Sequence, residues 1–157
     1  MNSLAYDSDH DLRHAVERDV AQMNNIRPVP RISIHAFCET EGIAVPIQRA
    51  GEDRRMAKAH LKVVMGGIPA AIEFYQSAPT PNLIIVESRS EPRQLMEFLG
   101  ELAEFCDPSS KVIVIGHYND VALYRDLIKA GISEYLVAPI SLADIVGVIA
   151  ALFIDPD

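Results

Sequence analysis

Cys38, Glu87 and His117 are the side chains of this sequence whose types, taken together, could do chemistry. A thiol becomes a nucleophile when a base removes its proton and an acid orients that base, so a Cys–His–acid trio would make an activated thiolate. Each of the three stands at or near the end of an apolar run. Cys38 ends Arg31-Ile32-Ser33-Ile34-His35-Ala36-Phe37-Cys38, Glu87 follows Asn82-Leu83-Ile84-Ile85-Val86, and His117 stands two places after Lys111-Val112-Ile113-Val114-Ile115. If these runs are parallel strands, the trio collects at the carboxyl edge of the sheet, where open α/β sheets bind ligands. A packed thiol and a loop histidine would fall at the same places, because a position in a fold does not by itself make a site.

The elements that must hold these residues alternate along the chain. Strand patterns cover 31–38, 60–65, 82–86, 111–115 and 134–137. Helical patterns cover 41–59, with interruptions at Val45-Pro46 and Ala50-Gly51, then 67–77, 91–105 (Leu95, Leu99, Leu102 and Phe105 on one stripe), 120–130, and a last helix opened by Ser141. Asn119 is placed to cap the fourth helix, Gly131 to end it, and Ser141 with Asp144 to form a capping box. Five βα units of this kind predict a doubly wound α/β fold with a five-stranded parallel sheet, flavodoxin-like or CheY-like, in the order 2-1-3-4-5. Residues 1–30 break the pattern. They are polar, carry one helical spacing at Leu12, Val16, Val20 and Met23, and end in Arg27-Pro28-Val29-Pro30, whose two prolines hold the backbone extended. We read 1–30 as a tail and linker whose removal would leave the fold intact, and 31–157 as one domain.

Composition narrows the function. At 157 residues, 49% hydrophobic and 23% charged, the chain can bury a single core. A formal charge of −8 opposes a nucleic-acid surface, which needs a dense basic face. Arg49, Arg54, Arg55, Lys58 and Lys62 gather locally, but Glu52 and Asp53 interrupt them and favour a solvated helix end. Gly66-Gly67 lacks the spacing of a phosphate loop and fits a strand-to-helix turn. Two cysteines without metal or redox spacing point to a reducing, cytoplasmic setting. The acidic start has no signal-peptide core, and no apolar run approaches the roughly 20 residues of a membrane span.

Three strings resemble the receiver domains of response regulators. Pro81-Asn82-Leu83-Ile84-Ile85-Val86-Glu87 is similar to the third strand that ends in the phosphate-accepting aspartate. Lys111-Val112-Ile113-Val114-Ile115-Gly116 is similar to the fourth, which ends in Thr or Ser. Gly131-Ile132-Ser133-Glu134-Tyr135-Leu136-Val137-Ala138-Pro139 resembles Gly-Ala-x-x-Tyr-Leu-x-Lys-Pro, which implies a cis bond before Pro139. The resemblance puts the acceptor on Glu87, the Mg²⁺-holding acids near Ala36, Phe37 and Cys38, the switch hydroxyl on Gly116 and the lysine on Ala138. Ala-Phe-Cys offers no hard oxygen ligand from its side chains, and phosphoryl transfer depends on positioned cations. Glu87, Ala36, Phe37, Gly116 and Ala138 are therefore expected to form a degenerate phosphoacceptor pocket, without catalytic residues, metal or cofactor. Glu87 as a mimic of the phosphorylated acid is disfavoured, since no lysine at Ala138 would read it.

More narrowly, the sequence is similar to the N-terminal receiver-like domain of CpaE/TadZ-type Flp (tight-adherence) pilus assembly proteins. Ile32–Thr40, Asp53-Arg54-Arg55-Met56-Ala57, Thr80–Ser88, Val112–Val121 and Ser133–Pro139 carry that likeness. It implies a scaffold recruited to a cell pole or pilus site, acting on other pilus-assembly proteins by docking. It also implies a following ParA/MinD-like ATPase domain, and no Gly-x-x-x-x-Gly-Lys-[Ser/Thr] occurs here. In receivers the fourth helix, fifth strand and last helix commonly form a dimer face. Here Tyr124, Tyr135, Val148, Ala151 and Leu152 would supply a contact face for a second copy or for the following domain, since the last helix is apolar or small nearly all round. The expected function is non-catalytic docking and homodimerisation. The alternatives are a small enzyme, or a ligand-binding regulator, using the pocket around Cys38, Glu87 and His117.

Overall fold

The computed structural model describes residues 26–154, so the helical spacing over 12–23 lies outside the described residues. Strands β1 (Ser33–Cys38), β2 (His60–Met65), β3 (Leu83–Glu87), β4 (Lys111–Gly116) and β5 (Glu134–Val137) alternate with helices α1 (Glu41–Glu52), α2 (Gly67–Tyr75), α3 (Pro92–Ala103), α4 (Val121–Lys129) and α5 (Leu142–Leu152). All pairings are parallel, in the order β2-β1-β3-β4-β5. The predicted α/β architecture and strand order hold.

The period of two along each strand divides the core. Ile34, Ala36, Leu83, Ile85, Ile113 and Ile115 pack with α1 and α5 on one face. Phe37, Ile84, Val86, Val114 and Tyr135 pack with α2, α3 and α4 on the other. Because β3 is covered on both sides, all five of its residues are buried, Glu87 included. The register pairs Cys38 with Met65, Glu87 with Ile115 and Gly116 with Val137, which brings the strand ends to one edge.

Local signals behave unevenly. The Ser141–Asp144 capping box forms, with both bonds at 3.0 Å, and the Ala138–Pro139 peptide is cis. Asp120 rather than Asn119 caps α4, accepting from the Leu123 N–H at 3.1 Å. The helix over 91–105 stops at Ala103, which leaves Phe105 exposed. The expected break at Pro46 does not occur. Burying Ile43, Ala44, Ile47 and Ala50 along one stripe of α1 outweighs the single hydrogen bond that proline withholds.

The expected linker also proves part of the fold where it is described. Val29 is 1% exposed, and its N–H donates to the Arg55 carbonyl at 2.8 Å. Ile26 packs against the α1/α5 core. The folded unit therefore begins before residue 31, and a cut at 30 would remove a core side chain. Arg55 is itself buried against Asp53, 3.3 Å away, and so leaves the basic cluster.

Candidate functional site

Glu87 ends a strand whose neighbours on both sides are apolar, so its carboxylate is carried into the edge of the core, 0% exposed. A buried carboxylate must find hydrogen-bond donors. It finds them in the turn from β1 to α1 and in the loop after β4. Its Oε1 accepts from the backbone N–H of Glu39 (2.7 Å) and of Thr40 (2.8 Å). Its Oε2 accepts from Thr40 Oγ1 (2.8 Å) and lies 2.9 Å from His117 Nε2. Thr40 is the N-cap of α1, so the charge sits where the helix presents its positive end.

Burial pushes the Glu87 pKa up, but the bonds from His117, Thr40 and Glu39 outweigh it and hold the group below its ordinary value. The carboxylate is thus ionised at neutral pH. An ionised carboxylate only accepts, so His117 Nε2 is the donor in its bond. With four donors on two oxygens, its acceptor capacity is filled.

The residues around this carboxylate differ in part from the expected pocket. Ala36 and Phe37 lie inside β1 and point to opposite cores, so neither faces Glu87. The facing residues are Glu39 and Thr40, just beyond the strand. An acid therefore does stand beside the acceptor position, but its own oxygens are engaged. Glu39 Oε1 accepts from the Arg89 N–H at 2.8 Å, and its Oε2 lies 3.6 Å from Arg89 Nε. Gly67, at φ +60°, backs this turn, where an added Cβ would fall 2.8 Å from Glu39 Cγ. A Glu-Thr pair between a strand and a helix start was the available signal, masked by assigning the site to the preceding three residues.

Gly116 and Ala138 do lie at the edge. Ala138 brings a methyl where the receiver resemblance expects a cation, and its N–H donates to the Gly116 carbonyl at 2.8 Å. Over Gly116 lies the ring of Tyr135. A Cβ at residue 116 would come within 2.6 Å of that ring, and the Tyr135 hydroxyl donates to the Tyr118 carbonyl at 2.8 Å. The aromatic ring fills the space a switch hydroxyl would need.

The activated-thiolate arrangement is absent. Cys38 is 1% exposed, and burial followed by the Glu87 charge pushes its pKa up to about 12. His117 spends Nε2 on Glu87, and the nearby carboxylate opposes thiolate formation. Among the described residues, no group of three or more His, Cys, Asp or Glu side chains is placed to hold a metal.

Neither a protein-family model nor a curated protein matches the chain. Solved structures do. The pilus assembly protein CpaE from Caulobacter crescentus CB15 is 43% identical, at a TM-score of 0.80, over 82% of this chain and 98% of that one. This chain belongs to the CpaE pilus assembly family. A second member described as CpaE2, from Sinorhizobium meliloti 1021, is 42% identical at a TM-score of 0.72, covering 74% of this chain and 96% of that one. A CheY-like response regulator from Mesorhizobium loti shares the fold at 12% identity and a TM-score of 0.53, over 77% and 98% of the two chains.

The surface of this CpaE-family domain departs from the expected face at one residue. Tyr135 is 6% exposed and belongs to the core, so it offers no contact area. Tyr124 is 42% exposed, Ala151 is exposed, and Val148 and Leu152 are half-buried against the α1/α5 core. Two residues join them that sequence reasoning passed over. Val121 is 66% exposed, and Ile128 shares the outer stripe of α4 with it and Tyr124. Their spacing, opposite the buried Leu123 and Leu127, was legible as a second apolar stripe on one helix. Among the described residues, no helix is long and apolar enough to cross a membrane.

Proposed function

We propose that this domain is a non-catalytic, receiver-like docking module of a pilus assembly protein, recruited to its cellular site through protein contacts. It works beside an ATPase domain of ParA/MinD type and other pilus-assembly proteins, and it pairs with a second copy through the α4–β5–α5 side. The observation that carries this reading is the Glu87 carboxylate, saturated by Glu39, Thr40 and His117 at the place where receivers accept a phosphoryl group. Membership in the CpaE family supports the pilus setting.

Incubation with Mg²⁺ and acetyl phosphate is expected to leave the intact mass unchanged. A stoichiometric gain of one phosphoryl group would overturn the reading, because it would require a free oxygen on Glu87.

Pairing is expected to centre on Val121, Tyr124 and Ile128. Burying an apolar stripe is favourable by about 25 cal/mol per Å², and aromatic anchors commonly dominate such contacts. Sedimentation should show a homodimer at micromolar concentration, and Val121→Glu/Tyr124→Glu should give folded monomers, since both side chains stand clear of the core. Val148→Glu is a poorer probe because Val148 also packs inward. A wild type that stays monomeric at high concentration removes the pairing claim.

A further inference from the structure

One edge of the sheet carries an unpaired strand. β2 pairs only with β1, so its outer side meets no other strand among the described residues. The His60 N–H donates to the Ile32 carbonyl at 2.8 Å and the Gly66 N–H to the Cys38 carbonyl at 2.7 Å. By the period of two, the peptide groups of His60, Lys62, Val64 and Gly66 turn to β1, and those of Leu61, Val63 and Met65 turn outward. Such a row of donors and acceptors is a template for another strand, against which natural edges commonly set a lysine. Lys62 does not stand guard in that way, because its Nζ is folded back over the Phe74 ring of α2, 4.8 Å from the centroid. Met65, at the end of the strand, is 48% exposed. Beside the edge, on the α1 side, Gln48, Gly51, Glu52, Leu61 and Val63 bound an open trough of about 650 Å³.

We propose that the β2 edges of two copies pair antiparallel about a two-fold axis at Val63, joining two five-stranded sheets into one. In that register Val63 faces Val63 of the second copy and Leu61 faces Met65, and each facing pair exchanges two backbone bonds. On the α1 face every facing pair is then apolar, and each Met65 enters the trough beside Leu61 of the other copy. On the α2 face Lys62 lies opposite Val64, so the two lysines are offset. Moving the axis by one residue, to Lys62, would set like charges directly opposite each other. A surface that matches itself in hydrogen-bond phase and in side-chain type is what a two-fold contact requires, which favours a second copy over a different partner. One strand of 6 residues buries less than the ~1,200 Å² of a standard interface, so the contact is weak and forms at high local concentration. β2 stands at the far end of the sheet from β5. Where the α4–β5–α5 side also pairs, two different two-fold contacts would link copies into a row. That consequence, unlike the β2 contact itself, rests on the pairing proposed above.

Sedimentation equilibrium of the full chain carrying Val121→Glu/Tyr124→Glu tests the β2 contact apart from the α4 stripe. That protein should be mostly monomeric near 10 µM and mostly dimeric by about 500 µM, as for a Kd of about 0.1 mM. Adding Val63→Pro removes an outward N–H and no bond to β1, a change that edge strands tolerate. It should abolish the dimer while circular dichroism stays unchanged. Met65→Glu, at an exposed position, sets a charge opposite Leu61 and beside Glu52 of the second copy, and should abolish the dimer too. If Val63→Pro does not fold, Met65→Glu decides. A protein that stays monomeric at about 500 µM overturns the proposal. A dimer that survives both changes lies on another surface and overturns it as well. A wild type that is monomeric at micromolar concentration would sink the α4 pairing claim without touching this result.

Discussion

Glu87→Ala is expected to destabilise the domain by about 3 kcal/mol, the cost of leaving several buried donors without an acceptor. The Glu39 and Thr40 N–H groups and the Thr40 hydroxyl all point at the removed carboxylate, as does His117. Removing a buried charge gives back part of the loss, and water entering the edge of the site gives back more. Glu87→Gln should cost less, about 1 kcal/mol, because its carbonyl can still accept from the two backbone donors. The pair also separates charge from shape. The folded-state pKa of Glu87 is depressed, so its stabilisation is complete above the ordinary glutamate value of 4.5 and is lost as pH falls through the depressed value. Urea unfolding at neutral and acid pH should show wild type losing its advantage over Glu87→Gln as the solution is acidified. A Glu87→Ala protein as stable as wild type would mean that the carboxylate does not tie the β1–α1 turn and the loop after β4 to the end of β3.

Restoring a receiver-like hydroxyl should be nearly as damaging. Gly116→Thr puts a Cβ within 2.6 Å of the Tyr135 ring, which cannot shift outward without leaving the core and giving up its bond to the Tyr118 carbonyl. Overpacking of this kind costs about 1–3 kcal/mol, and we expect the upper end because a rigid ring meets backbone. Tyr135→Ala alone should cost about 3 kcal/mol through the cavity it leaves. Combined, the two changes should fall well short of additive, since the clash disappears with the ring. Additive losses in chemical denaturation would show that Gly116 and Tyr135 are not coupled. The chain has no tryptophan, so near-ultraviolet tyrosine dichroism can follow whether the ring stays packed.

These two sites show why the pocket was only partly legible. The position of Glu87 follows from the sequence, because Leu83-Ile84-Ile85-Val86, set between two helical patterns, reads as a strand covered on both faces with the acid at its end. Its partners do not follow. Two of the four donors are backbone N–H groups, which every non-proline residue carries, so no residue type announces them. That Tyr135 turns inward is likewise a cross-strand matter. It depends on a missing side chain at Gly116, 19 residues away, on a strand brought alongside only by folding.

The sequence by itself determined the alternation of strands and helices, the order of the sheet, the edge at which Cys38, Glu87 and Gly116 meet, and the capping box at Ser141. The alternation and the capping box rest on periodicity or on a contact between residues a few places apart, which the chain encodes locally, and the order and the edge follow as the common arrangement of five βα units. Only the tertiary structure decided that α1 runs through Pro46, that Val29 belongs to the core, and that Cys38 is a packed thiol beside a negative charge. In each case the outcome is set by burial against distant elements, and burial of a whole apolar stripe outweighs the preference of any one residue.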